Sequence, residues 1–157
     1  MDTSTDQGAG QAQPAGRTLA VGGRHYLDLP LRWGDSDSMN HLNNTLYFRL
    51  MEEARIQILY AAGLKLPDDQ GAILAHASCD FLRPLTYPAT VRVTHEVTRI
   101  GRSSLEFDLI LDKIGDATGS YARGRNVLVW MDYLNNRSAP WPAEVLGRLG
   151  GLFVPAG

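Results

Sequence analysis

Hydrophobic positions along this chain follow two rhythms. From about Asn44, Leu46, Leu50, Ala54 and Ile58 recur at every fourth position, with Tyr47, Met51 and Ala62 beside them. That spacing lines one stripe of an α-helix, and Gly63 supplies a customary stop. The helix is expected to run for roughly five turns. Arg49, Glu52, Glu53 and Arg55 stand at spacings that predict Arg49–Glu53 and Glu52–Arg55 pairs on its solvent side.

Beyond the helix the period falls to two. Residues 72–82 (AILAHASCDFL) predict a buried strand that ends before Arg83-Pro84. In residues 90–100, Val91, Val93, His95 and Val97 alternate with Arg92, Thr94, Glu96 and Thr98. Residues 103–114 repeat the alternation with Leu105, Phe107, Leu109 and Leu111, and the short Ile100-Gly101-Arg102 link predicts a hairpin. A last long strand is expected over 118–133, entered through Gly115-Asp116, and Pro140 and Pro142 precede a short helix in AEVLGRL. Ahead of the long helix, residues 25–32 predict a first strand, with Pro30 marking it as an edge. The resulting order is strand, long helix, then four antiparallel strands in a meander. It predicts an α+β architecture in which a five-stranded antiparallel sheet wraps one central helix.

Composition sharpens this picture modestly. The 157 residues are 44% hydrophobic, enough for one ordinary core, and a single cysteine, Cys79, excludes an intrachain disulfide. A reducing, cytoplasmic setting is therefore expected, and so is the absence of a metal or redox cofactor. The net charge of -2 favours neither nucleic acid nor an anionic membrane as partner. Its distribution is uneven, with an arginine-rich stretch over 83–137. Arginine suits phosphate and a solvated sheet face alike. The opening residues are small and polar, so 1–22 is expected to be a disordered tail rather than a signal or an anchor. A single domain is expected over 23–151, with a short C-terminal tail at 152–157.

The chemistry gathers at the mouth of the long helix, in WGDSDSMNHLNNTLYF (residues 33–48). A helix start presents backbone N–H groups that lack internal partners and carry partial positive charge. Asn40, Asn43 or Asn44 is suited to cap them, and any N–H left over can hold an oxyanion. Asp35 and Asp37 lie just upstream, placed to act as base or nucleophile. A carboxylate beside preorganised N–H donors is what acyl transfer at a carbonyl requires. Capping and turn formation explain the same residue types with no catalysis at all.

The run R-W-G-D-S-D-S-M-N-H-L-N-N-T-L-Y-F, followed by E-E-A-R at 52–55, resembles the signature of hotdog-fold acyl-thioesterases of the 4-hydroxybenzoyl-CoA thioesterase type. Asp37 to Asn44 matches D-x-x-x-H-x-N-N at every fixed position. The resemblance covers about residues 24–150 and implies hydrolysis of an acyl thioester, with coenzyme A as part of the substrate rather than a cofactor. It implies that Asp37 is the catalytic carboxylate and that the Asn44 backbone N–H polarises the carbonyl. His41 and Asn43 match positions that shape the loop, and related plant acyl-ACP thioesterases assign catalysis to a histidine here. Those enzymes carry asparagine two residues after the aspartate, where this chain has Met39, so Asp37 takes precedence over an Asp–Asn–His reading. By spacing, Arg102, Ser103 and Ser104 in a strand turn, and Arg137 before Pro142, stand where the 4-hydroxybenzoyl enzyme contacts nucleotide phosphates. Tyr47 is added as a substrate-binding residue. The resemblance further implies a homodimer or homotetramer whose sites are built from both protomers. Two other readings remain open: a non-catalytic acyl-CoA-binding hotdog module, and a hotdog dehydratase or hydratase.

Overall fold

The computed structural model describes residues 17–157, so most of the expected N-terminal tail, residues 1–16, lies outside the described residues. Six strands and two helices follow in the order β1 (Arg24–Pro30), α1 (Asn44–Ala61), β2 (Gln70–Phe81), β3 (Thr90–Ile100), β4 (Ser104–Lys113), β5 (Ala122–Asp132), β6 (Arg137–Ser138) and α2 (Ala143–Leu152). All pairings are antiparallel, and the sheet order is β1-β3-β4-β5-β2, with the two-residue β6 added beside β5. This is the hotdog arrangement that the resemblance implies.

One expectation is corrected here. Only β3, β4 and β5 form a meander; β2 crosses to the far side and pairs with β5, from Gln70 opposite Asp132 to Phe81 opposite Ala122. The helix α1 lies between β1 and β2 in sequence, so the chain can place those two strands on opposite edges. In consequence β2 is mostly exposed rather than buried. Its small residues Ala75 and Ala77 mimic a core strand in sequence while the strand lines an open edge.

The alternating residues explain the core. Val91, Val93, His95 and Val97 on β3, and Leu105, Phe107, Leu109 and Leu111 on β4, turn inward and are buried beneath α1. Tyr47, Met51, Ala54 and Ile58 meet them from the helix. A close approach falls at Gly124 on β5, where an added Cβ would stand 2.5 Å from the Ser78 carbonyl oxygen and 2.8 Å from the Met51 Cε. Both presumed tails contribute to this core: Leu19 and Phe153 are buried, Gly22 N–H donates to the Val97 carbonyl, and Val154 exchanges backbone hydrogen bonds with Arg24. Apolar side chains at 19 and 153, just outside the span expected for the domain, thus pack with its core.

Arg55 also departs from expectation. It is buried, and the Glu52 carboxylate is 3.8 Å away and largely exposed. With the Asn126 side-chain amide oriented to satisfy both neighbours, its oxygen accepts from Arg55 Nη1 (3.2 Å) and its nitrogen donates to the Arg125 carbonyl (3.1 Å). A buried guanidinium needs such acceptors, and Asn126 on β5 provides one. Glu53 instead accepts from the Gln57 side chain at 2.7 Å. On the outer sheet face, arginines of the basic stretch are locally neutralised: Arg92 pairs with Asp28 and Arg125 with Glu106.

Candidate active site

The polar loop is a miniature ladder folded back on itself. After a 3-10 turn at Trp33–Asp35, Ser36 bridges Leu42, Asp37 N–H donates to the His41 carbonyl at 2.8 Å, and Asn43 N–H donates to the Asp35 carbonyl at 3.4 Å. The tip closes where Asn40 N–H donates to the Asp37 carbonyl at 3.0 Å. Asn40 reaches that bond with φ at +57°, a left-handed conformation that asparagine tolerates better than most residues.

Inside this turn the Asp37 Oδ1 accepts from the backbone N–H groups of Met39 (2.9 Å) and His41 (3.1 Å). Two donors on one oxygen fix the carboxylate plane. The other oxygen, Oδ2, accepts no protein hydrogen bond among the described residues, and Asp37 is exposed. His41 contributes both its backbone groups to the loop, and its side chain is half-buried.

Asn43 caps α1. Its side-chain oxygen accepts from Thr45 N–H at 2.9 Å and from the Thr45 hydroxyl at 2.7 Å, while its carbonyl accepts from Leu46 N–H at 2.9 Å. Between these engaged amides, the Asn44 N–H meets no protein acceptor among the described residues. The ladder spacing sets Asp37 two residue pairs, roughly 7 Å along the strand direction, from the Asp35–Asn43 pair that leads into Asn44. A groove of 290 Å³ adjoins the loop between β1 and α1, with Leu29, Leu42, Leu46 and Leu50 among its lining residues.

Other residues singled out from the sequence fall elsewhere. Tyr47 is buried, and its hydroxyl is engaged with the backbone at Arg83 and Leu85, so it faces the core rather than an open pocket. Arg102 and Arg137 are exposed, and Ser103 and Ser104 are half-buried. These four are brought to one end of the sheet, where Trp141 N–H donates to the Arg102 carbonyl (3.0 Å) and its indole N–H to the Ser103 carbonyl (2.9 Å). That end is reached from the Ile100 end of β3, whereas the Asp37 loop is tied to Leu85 and Ala89, before Thr90. Eleven strand residues separate the two ends by roughly 33 Å. Within one protomer the carboxylate and the arginines do not share a site.

The remaining reactive groups contribute little here. Burial pushes the Cys79 thiol up to about 11, which keeps it protonated and a poor nucleophile near neutral pH. Among the described residues no group of three His, Cys, Asp or Glu side chains is arranged to hold a metal ion. No described helix is long and apolar enough to cross a membrane. Sequence reasoning missed the supports of the loop, namely the Leu85 carbonyl and the Tyr47 hydroxyl. The only signal for them was a tyrosine on the apolar stripe, a position that also suits plain packing.

The comparisons agree with this geometry. Residues 31–149 match the model of the thioesterase-like superfamily. The PA2801 protein of Pseudomonas aeruginosa is 38% identical over 77% of this chain and 94% of its own, with a TM-score of 0.73. Two more distant structures share the fold. Slr0204, a 1,4-dihydroxy-2-naphthoyl-CoA thioesterase from Synechocystis, is 19% identical over 81% of this chain and 96% of its own, with a TM-score of 0.72. SAV2348 from Staphylococcus aureus, solved in complex with CoA, is 14% identical over 83% and 84%, with a TM-score of 0.74. No curated protein matches the chain. The chain belongs to the thioesterase-like superfamily. It is a thioesterase, an enzyme that cleaves an acyl–sulfur bond with water.

Proposed function

We propose that the substrate is an acyl-CoA and that Asp37 is the general base. Asp37 Oδ2 removes a proton from a water molecule, whose oxygen attacks the thioester carbonyl carbon. Charge develops on the carbonyl oxygen and is met by the Asn44 N–H at the positive end of α1, a donor of the kind worth about 2.7–4 kcal/mol in an oxyanion hole. The carbon–sulfur bond then breaks, and the thiolate leaves with the proton from Asp37. His41 and Asn43 hold the loop through backbone and cap. One observation carries this reading: a carboxylate clamped through one oxygen, its other oxygen and the Asn44 amide two rungs along both without a protein partner among the described residues.

The groove along Leu46 and Leu50 receives the acyl group. Arg102, Ser103, Ser104 and Arg137 reach the nucleotide from a partner subunit. Pairing two β2 edges antiparallel would place the Arg102 end of one copy beside the Asp37 end of the other, so the homodimer is the catalytic unit. The relation of SAV2348 to CoA supports the choice of thioester. The single cysteine supports a cytoplasmic setting.

Thiol release from a panel of acyl-CoAs tests the proposal. Wild-type protein should turn over, and Asp37→Asn should lose about 100-fold or more in kcat, the low end for a general base, with KM little changed. Unchanged kcat in Asp37→Asn removes Asp37 from the chemistry. A wild-type protein that binds acyl-CoA without releasing thiol would instead be a binding module.

A further inference from the structure

The geometry points to Tyr47 as the positioning residue of the active-site loop, acting through residues 83–85 and a clamp on the β4–β5 turn. The Tyr47 hydroxyl sits in the core between two backbone groups. It accepts from Leu85 N–H at 3.3 Å and donates to the Arg83 carbonyl at 3.4 Å. The intervening Pro84 has no N–H, so this connector has few other means of satisfying its backbone. Leu85 is fully buried, and its carbonyl accepts from Leu42 N–H at 2.7 Å. Leu42 is the rung that bridges Ser36, one residue before Asp37. Thus a hydroxyl on the first turn of α1 sets the height of the connector, and the connector sets the ladder that carries the carboxylate.

The connector is gripped from its other side by Arg83. Its guanidinium donates to Asp116 Oδ2 (2.8 Å), to the Tyr121 hydroxyl (3.2 Å) and to the Gly119 carbonyl (3.1 Å), and it lies 4.2 Å from the Tyr121 ring centre. Tyr121 in turn donates to Asp116 Oδ2 at 2.5 Å, and Thr118 bonds Asp116 Oδ1 through both its amide and its hydroxyl. This cluster leaves Asp116 with no loose oxygen, which a mere surface turn does not require. Arg83 is also fixed by its own backbone, its N–H donating to the Tyr121 carbonyl at 3.1 Å. Two independent anchors, one in the core and one on the turn, therefore converge on residues 83–85, whose last member, Leu85, is hydrogen-bonded to the loop at Leu42.

Tyr47→Phe removes the hydroxyl and leaves the buried Leu85 amide without its acceptor, while keeping the ring that packs edge-on against Phe81. The kinetic part of the test rests on the thioesterase reading, so hydrogen exchange provides a readout that does not. In Tyr47→Phe, amides of residues 36–46 should exchange about tenfold faster, the scale of one lost hydrogen bond, while those of β4 keep their wild-type rates. kcat should fall about tenfold with KM within about twofold, since a displaced base slows chemistry more than binding. Asp116→Asn, which weakens the clamp from the outside, should give the same pattern at smaller amplitude. Loop exchange that stays at the wild-type rate in Tyr47→Phe overturns the proposal, whatever the rate of turnover. Exchange that rises equally in the loop and in β4 also overturns it, by reducing Tyr47 to a general packing residue. A wild-type protein without thioesterase activity would sink the functional reading and leave the exchange result to decide this one.

Discussion

Acidification from pH 7 to pH 5 should destabilise this fold by about 2 kcal/mol through His95 alone. The ring lies on the inner face of β3, is 2% exposed, and neither nitrogen has a hydrogen-bond partner among the described residues. Burial lowers its pKa to about 3, with the His25 ring and the Arg55 guanidinium adding to the effect. Phe107 packs edge-on against it, with ring centres 5.6 Å apart. In the unfolded chain the same group titrates near pH 6.5. Below that pH the unfolded state binds a proton that the native state refuses, so stability is complete above pH 6.5 and declines as pH falls, until the native ring also titrates near pH 3. Across pH 7 to 5 the unfolded population gains about 0.7 of a proton at this site, and the integrated loss reaches about 2 kcal/mol. For a chain of this size that is roughly 4–8 °C in Tm. The assay is thermal or urea unfolding of wild type and His95→Leu at both pH values and one protein concentration. Other titrating groups, His25 among them, are common to both proteins, so the difference between the two pH dependences isolates His95. His95→Leu should also be no less stable than wild type at pH 7, because it removes two unsatisfied buried nitrogens. Identical pH dependences would refute the reasoning.

Two further outcomes are expected beyond the tests already given. Asn43→Ala strips the cap from α1, removing the acceptor of the Thr45 amide and hydroxyl; it should cost about 1 kcal/mol, seen as a Tm lower by roughly 2–4 °C, and an unchanged Tm would show that the helix start is held by other means. Light scattering at micromolar concentration should give twice the chain mass or a multiple of it, and Ile73→Lys on the open β2 edge should shift the protein toward monomer with loss of turnover; a monomeric wild type would exclude the two-protomer site.

Much of this was legible where the physics is local. The helix from Asn44 emerges from its four-residue repeat, and β3 and β4 from strict alternation, because each pattern is generated by neighbours a few residues apart. The Asp37 loop was legible as a motif for the same reason, since its ladder closes within Asp35–Asn43. What stayed hidden depends on partners far along the chain. Arg55 reads as a surface charge until Asn126 appears across the core, and Tyr47 reads as a substrate-binding residue until Leu85 and Arg83 arrive, 38 and 36 residues later. The strand β2 was misplaced because runs of small apolar residues look alike at an interior position and at an open edge. Leu19 follows a small, polar stretch and Phe153 follows the end of a short helix, so neither stands in a periodic run that would announce its burial.

The contact at Gly124 reaches beyond stability. Met51 sits so near the strand that a side chain at 124 would meet both it and the Ser78 carbonyl, so helix and sheet are tightly apposed at this point. On the proposed reading, an acyl tail lies in the groove beside that helix, past Leu46 and Leu50, rather than across this tight contact. Leu46 and Leu50 are half-buried against the core, so exchanges there that alter the choice of acyl group also bear on how the helix packs.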